Sequence, residues 1–411
     1  MLWTDVFLGR TELMLHATDS IPPAPATLGF AVTHRDGHAR RGRFTTPHGP
    51  VETPAFMPVG TRGAIKAVTH AQLAELDATM LLANTYHLHV RPGDEFIGRI
   101  GGLHAFIGWH RPILTDSGGY QVFSLATRCK VGEDGVRFRS HLDGRALLLT
   151  PESVADAQAR LGSDVAMVLD ECPPFPVPDD IARRAMERTL RWADRARART
   201  EALRDGRTDV TTTNTGQAVF GIVQGGLHPD LRATSARGTT ALGFDGYAIG
   251  GLSVGEPVDQ MYAAIDMTVP WLPDDRPRYL MGAGMPDDLV EAVSRGIDLF
   301  DCVLPTRNAR NGQLLTRRGR LSIKNARFAE DLRPPDAACE CYTCRHYSRA
   351  YLRHLFLAGE MTAATLNTLH NLHFYLDTMR RIREAIELGS FENFKHAFLD
   401  SYSRGPLEEH E

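Results

Sequence analysis

The sequence predicts a (β/α)8 barrel followed by a smaller metal-binding subdomain, and three observations carry that expectation. Eight strand-like apolar runs alternate with helical segments over roughly 250 residues, the size of such a barrel. Most of the runs end on Asp, Asn, Gln or Gly, the residue types that an active site at the strands' carboxyl edge uses. Three cysteines, Cys339, Cys341 and Cys344, crowd together after the last run. A doubly wound open sheet is the next alternative, but no Gly-x-Gly-x-x-Gly follows the first strand.

In chain order, the first strand-like signal is Pro54–Pro58. A helix then opens at Thr69 with Gln72 three residues on, a capping-box spacing. Met80–Asn84 and Ile113–Asp116 read as the next two strands. Thr150, Pro151 and Gly162 bracket a helix with a capping threonine, a first-turn proline and a terminating glycine. Val165–Asp170 is continuously apolar up to its carboxylate, as a strand covered on both faces should be. A long helix from Asp179 to about Leu203 follows, then a polar Thr/Gly-rich stretch, 205–217, expected to be a mobile loop. Val219–Gln224, Tyr247–Gly251, Tyr279–Gly282 and Ile297–Asp301 complete the eight.

Composition narrows the function classes. A chain of 411 residues with 43% hydrophobic residues buries a large core, and no run of eighteen apolar residues indicates a membrane span. Met1–Leu28 holds Asp5, Glu12 and Asp19 and lacks a signal-peptide layout, so it reads as a cytosolic, partly loose extension. Six cysteines are too few for a disulfide framework at this length. The net charge of -4 argues against a generic nucleic-acid binder. Yet residues 303–353 hold eleven Lys/Arg against four acids, directly after the last predicted strand. That placement suits a polyanion held across the site, although scattered arginines are more often a solvated face.

Asp301 ends an apolar strand, with Pro305 and Arg307 close behind it. In a parallel barrel the first residue past a strand projects into the cleft, while the plain alternative is a capping or turn aspartate. Asp116 and Asp170 end two other strands in the same manner. The three clustered cysteines select zinc; His346, His354, His370 and His373 are the candidates for a fourth ligand. His370 lies on an amphipathic helix with Leu366, Leu369, Leu376, Met379 and Ile382. With all four positions filled by protein, a Cys3His site is structural rather than catalytic.

From about Gly29 onward the chain resembles the bacterial queuine tRNA-ribosyltransferases, or tRNA-guanine transglycosylases. The resemblance lies in Thr115-Asp116-Ser117-Gly118-Gly119-Tyr120-Gln121, Leu169–Cys172, Gly221–Gly225, Gly250–Glu256, Phe300–Arg307 and the cysteine cluster. It implies residues 29–302 as the catalytic barrel, 303–411 as a zinc-binding, tRNA-contacting subdomain packed on it, and 1–28 as an extension longer than the family's pattern. The implied chemistry breaks and remakes a glycosidic bond, which suits two carboxylates: Asp301 as nucleophile and Asp116 as proton donor and acceptor. Asp170 and Gln224 would read the guanine edge, the Gly251 N–H would approach it, and Tyr120 and Met281 would sandwich the ring. Ser117, Gly118, Gly119, Cys172, Gly250, Leu252 and Val254 complete the implied base pocket.

Contacts to RNA are implied for Gly282, Ala283, Gly284, Met285, Pro286, Asp287 and Asp288, and for Thr306, Arg307, Asn308, Ala309 and Arg310. The zinc ligands are implied to be Cys339, Cys341, Cys344 and His370, one ion per chain. The implied partners are tRNAs with GUN anticodons (those for Asp, Asn, His and Tyr), a deazaguanine base and a second copy of the chain, in the cytoplasm and away from membranes. Cys172 and Val254 at the pocket wall point to the precursor base, 7-aminomethyl-7-deazaguanine, since relatives that take queuine carry glycine at the latter position. Two rival readings are weighed against this one. A glycoside hydrolase on the same barrel leaves the cysteine cluster and arginines without a purpose, and a non-catalytic tRNA-binding subunit should lack one of the two carboxylates.

Overall fold

The computed structural model describes residues 28–120 and 129–403. The expected extension, apart from Leu28, and Gln121 of the first motif lie outside the described residues. Eight parallel strands form the barrel: β1 (Ala55–Pro58), β2 (Leu81–Ala83), β3 (Ile113–Thr115), β4 (Val165–Met167), β5 (Ala218–Val223), β6 (Gly246–Ile249), β7 (Arg278–Leu280) and β8 (Leu299–Cys302). Each pairs with its sequence neighbour, β8 pairs with β1, and a single parallel bridge between Val59 and Leu82 closes the ring. All eight expected strands are present.

The helix signals hold for physical reasons that the sequence displays. Thr69 caps Gln72 N–H, and the Gln72 side chain returns the bond. Thr150 caps helix Pro151–Leu161, and Gly162 ends it in the left-handed region at φ 65°. The long helix runs Asp179–Arg204. The 205–217 segment is a loop, tied down by Thr213 N–H to the Ala159 carbonyl (3.1 Å) and by Gln217 Nε2 to the Ser163 carbonyl (2.9 Å).

Three antiparallel sheets among the described residues were not anticipated, the smallest of them the pair Gln313–Thr316 and Gly319–Ser322. Ala31–Asp36, Ala39–Thr46 and Gly49–Thr53 form a second; Lys130–Val131, Val136–Arg139 and Ala146–Leu149 form the third. Most of their strands are short or interrupted by Arg and Thr, so they give little apolar signal; Ala146–Leu149 is apolar but only four residues long.

The barrel's amino-terminal rim is held by a repeated device. Asp164, Asp245 and Asp298 stand one residue before β4, β6 and β8 and accept an N–H from the start of β3, β5 and β7: the first residue of β3 and β7, Ile113 and Arg278, and the second of β5, Val219. Each carboxylate also takes a basic partner. Asp298 receives Arg40 through Nε (2.9 Å) and Nη2 (2.5 Å), both side chains fully buried. Asp245 takes Arg204, and Asp164 takes His48 Nδ1 (2.8 Å) and His104 Nε2 (3.1 Å). Asp298, which interrupts the apolar run before Asp301, therefore serves strand pairing.

Beyond β8, helix Met361–Glu387 sends Phe374, Tyr375, Met379 and Ile382 into the barrel's core, while Leu314, Leu321, Phe328, Leu352 and Leu366 form a separate small cluster. No described helix is long and apolar enough to cross a membrane.

Candidate active site and metal centre

The carboxyl ends of the strands surround a cavity of about 620 Å3. Asp116, Ser117, Gly118, Tyr120, Asp170, Cys172, Gly250, Gly251, Leu252, Val254, Met281, Gly282, Gly284, Met285, Asp288, Asp301 and Arg307 all line it. The strand ends that the sequence singled out thus meet at one place.

Asp301 is the last residue but one of β8, and its Oδ1 accepts from Tyr279 O–H (2.6 Å) and Gly282 N–H (2.8 Å). Burial raises its pKa above the ordinary carboxylate value, and these two donors oppose the rise. Both bonds fall on one oxygen, Oδ1. Asp116 sits differently: Asn84 Nδ2 reaches its Oδ2 and Thr85 N–H its Oδ1 (2.9 Å). Gly118 follows at φ 78°, where a Cβ would lie 3.0 Å from Tyr86 N, so only glycine permits this turn.

At the cavity floor Gln224 Nε2 donates to Asp170 Oδ2 at 2.7 Å. Burial, with Asp116 adding repulsion, pushes the Asp170 pKa up to about 6, against the pull of the Gln224 bond. Gln224 stands behind the lining, as does Gly119, whose Cβ position faces the Asp170 carbonyl at 3.0 Å. Gly251, at φ 70°, would drive a Cβ to within 2.5 Å of Gln224 Oε1. Tyr120 is 55% exposed and Met281 partly so, which leaves both free to cover a flat ring. Burial raises the Cys172 thiol to about 12, too high for it to serve as a thiolate nucleophile near neutral pH.

In the segment after β7, Gly282 is exposed, Asp287 and Met285 are half-buried, and Ala283, Gly284, Pro286 and Asp288 are buried, with Tyr262 O–H donating to Asp288 (2.7 Å). In helix Leu304–Arg310, Thr306 and Ala309 are turned inward, Arg307 is exposed, and Asn308 and Arg310 are half-buried. Part of the basic excess is spent on the protein itself, since Arg333 and Arg349 both pair with Asp331.

Three cavity-lining groups, Asn84, Tyr279 and His87, and the buried Thr85 escaped sequence reasoning; Asn84, Thr85 and Tyr279 hold the two carboxylates. Asn84 and Tyr279 lay within predicted strands, but nothing in one sequence says which carboxylate a strand residue will meet. Burial, helped by Arg62, lowers the His87 pKa to about 4, so this imidazole is neutral.

Cys339, Cys341, Cys344 and His370 converge, their ligand atoms all within 4.8 Å of one another. His370 Nδ1 stands 3.9, 3.4 and 3.3 Å from the three sulfurs. Its Nε2 lies 2.8 Å from the Leu315 carbonyl; donation there leaves the Nδ1 lone pair for a metal. Three soft sulfurs and one imidazole fit a metal ion. His48, His104 and Asp164 also converge, but they lie at the opposite mouth of the barrel, where the carboxylate's bonds account for them.

The profile of the family described as queuine tRNA-ribosyltransferase matches residues 36–404. A queuine tRNA-ribosyltransferase of Desulforudis audaxviator is 54% identical over 372 residues, covering 90% of this chain and 97% of that one. Relatives of the same description from Thioalkalivibrio sulfidiphilus (53% over 375 residues, 91% and 98% of the two chains) and Nitrosomonas europaea (54% over 371 residues, 90% and 96%) are similar at like extent. With both carboxylates in one barrel cavity and the match running over nearly its whole length, the chain belongs to the queuine tRNA-ribosyltransferase family.

Proposed function

We propose that this chain exchanges the wobble guanine of GUN-anticodon tRNAs for 7-aminomethyl-7-deazaguanine in queuosine biosynthesis, through a covalent tRNA–enzyme intermediate. The observation that carries the reading is that Asp301 and Asp116 line one cavity in unlike hydrogen-bond settings. Asp301 Oδ2 attacks the anomeric carbon as the bond to the guanine ring nitrogen breaks, and Asp116 delivers a proton to that base. The incoming base returns its ring proton to Asp116 and displaces Asp301, so the ribose keeps its configuration.

Asp170 accepts from the ring N–H and amino group, Gln224 buttresses it, and the Gly251 N–H donates to the base carbonyl. Ser117, Gly118, Gly119, Gly250 and Cys172 shape the slot that Tyr120 and Met281 close. The choice of precursor is supported by Glu256, whose carboxylate accepts from Ser253 N–H and from Val254 N–H (2.9 Å). The Leu252 carbonyl shares a trans peptide with the Ser253 N–H and points opposite to it, and we read it as the acceptor that would hold an aminomethyl ammonium. Arg307, assisted by Asn308 and Arg310 and by the 282–288 turn, holds the phosphates around the flipped nucleotide. We read residues 303–411 as a subdomain built around a structural zinc, and the enzyme as a cytoplasmic homodimer, with exposed Tyr342, Tyr351 and Leu357 beside the metal centre supplying apolar contact area.

Asp301→Asn tests the assignment. Denaturing gels with unmodified tRNA should show a shifted protein–RNA band for wild type alone, with tRNA affinity kept within a few-fold; an equal band in the variant would sink it. Against a glycoside hydrolase, wild type should incorporate labelled guanine into tRNA and release no free sugar.

A further inference from the structure

Arg232, on helix Pro229–Ala241, is a fully buried cation with no carboxylate ion-paired to it among the described residues. Its guanidinium is held by backbone carbonyls instead: Nε donates to Gly226 (2.8 Å), and Nη1 to Val223 (3.1 Å) and Gly250 (2.8 Å). Nη2 is buried without a partner. A buried charge without an ion-paired partner is expensive; Glu256 acts on it only beyond ion-pair distance, and burial lowers the Arg232 pKa to about 10, which still leaves it charged at neutral pH.

Its position gives that charge a use. Val223 ends β5 and Gly250 follows β6, so one guanidinium ties together the strand ends that carry Gln224 and Gly251. The Gly250 carbonyl and the Gly251 N–H belong to one trans peptide and point in opposite directions. On the far side from Arg232, that N–H faces the thiol of cavity-lining Cys172. A cation on the carbonyl polarises the peptide and strengthens its N–H as a donor.

We propose that Arg232 is a positioning residue for the exchange reaction, its charge acting through the Gly250–Gly251 peptide on the carbonyl oxygen of the bound base. The proposal rests on the base-pocket reading above and adds the source of the pocket's pull on that oxygen. As the glycosidic bond breaks, electrons move into the departing base and its carbonyl oxygen grows more negative. The polarised N–H therefore holds the leaving base more tightly than the ground state.

The test compares two free bases, guanine and 6-thioguanine. They share the ring N–H and amino group and differ in the acceptor atom, sulfur accepting weakly. Calorimetry on wild type should give a clear preference for guanine. In Arg232→Gln that preference should fall about tenfold, the scale of one net hydrogen bond, while Arg232→Lys, which keeps the charge, should lose less. A purely structural role would weaken both bases alike, so an unchanged ratio in a folded Arg232→Gln protein overturns the proposal. If glutamine there prevents folding, Arg232→Lys decides: one ammonium cannot span the three carbonyls, so its ratio must fall below wild type, and an unaltered ratio overturns the proposal. A wild-type protein with no preference for guanine overturns the base-pocket reading itself.

Discussion

Removing one oxygen from Tyr279 should move the acid limb of the exchange reaction. Tyr279 is buried between β6 and β8, and its hydroxyl donates to Asp301 Oδ1 at 2.6 Å. Burial drives the Tyr279 pKa far above the usual phenol value, so it remains a donor across the working pH range. Tyr279→Phe keeps the ring and its packing, and Asp301 Oδ1 keeps the Gly282 N–H. What is lost is a hydrogen bond to a charged group, worth about 1.5–3 kcal/mol. That loss should raise the pKa of Asp301 further.

The sign follows from the donors. Asp301 already lies above the ordinary carboxylate value through burial, and its two donors act downward. With one donor gone the nucleophile is protonated at higher pH, so the acid limb of kcat moves upward and the rate recovers above it. Because a raised carboxylate favours the fold only while protonated, the variant should be less stable than wild type near neutral pH, and the difference should shrink in acid. Initial rates of labelled-guanine exchange into tRNA across a pH series, with denaturant midpoints at the same pH values, measure both effects. Superposable acid limbs would refute the reasoning.

Val254→Gly should improve queuine use more than precursor use. A packed wall resists a larger base by roughly 1–3 kcal/mol, or about one to two decades in affinity, and equal incorporation of both bases by wild type would contradict this. Purified protein should contain about one zinc per chain; Cys341→Ala should lose metal and soluble fold together, and full activity of metal-free protein would count against a structural role. Arg307→Ala should weaken tRNA binding and lower its salt slope by about one. Arg310→Ala should act in the same direction, and an unchanged affinity and slope in both variants would return the segment to a solvated face. Arg40→Met leaves fully buried Asp298 without its cation and should destabilise the fold by about 3–5 kcal/mol in urea titrations; a loss under 1 kcal/mol would mean that the backbone donors suffice.

By itself the sequence determined the barrel and its chemistry-bearing strand ends. Strands buried on both faces must be apolar, and the residue that leaves each of them must be polar if it meets a ligand. Asp116, Asp170 and Asp301 were therefore legible as breaks after apolar runs, and Thr69, Thr150 and Gly162 as helix ends, because each signal sits within a few neighbouring residues. The cysteine cluster was legible for the same reason.

Only the tertiary structure decided what contacts across the chain decide. It brought His370, the ligand the resemblance implied and the residues alone left among four histidines, onto the cysteines, since that depends on which helix turn faces them. It turned Thr306 and Ala309 inward and Arg307 outward on one short helix. It set Tyr279 and Asn84 on the two carboxylates and Arg232 behind Gly250, and matched Arg40 with Asp298 across 258 residues. A buried charge advertises its need for a partner in the sequence, but the partner's identity depends on closure of the whole ring.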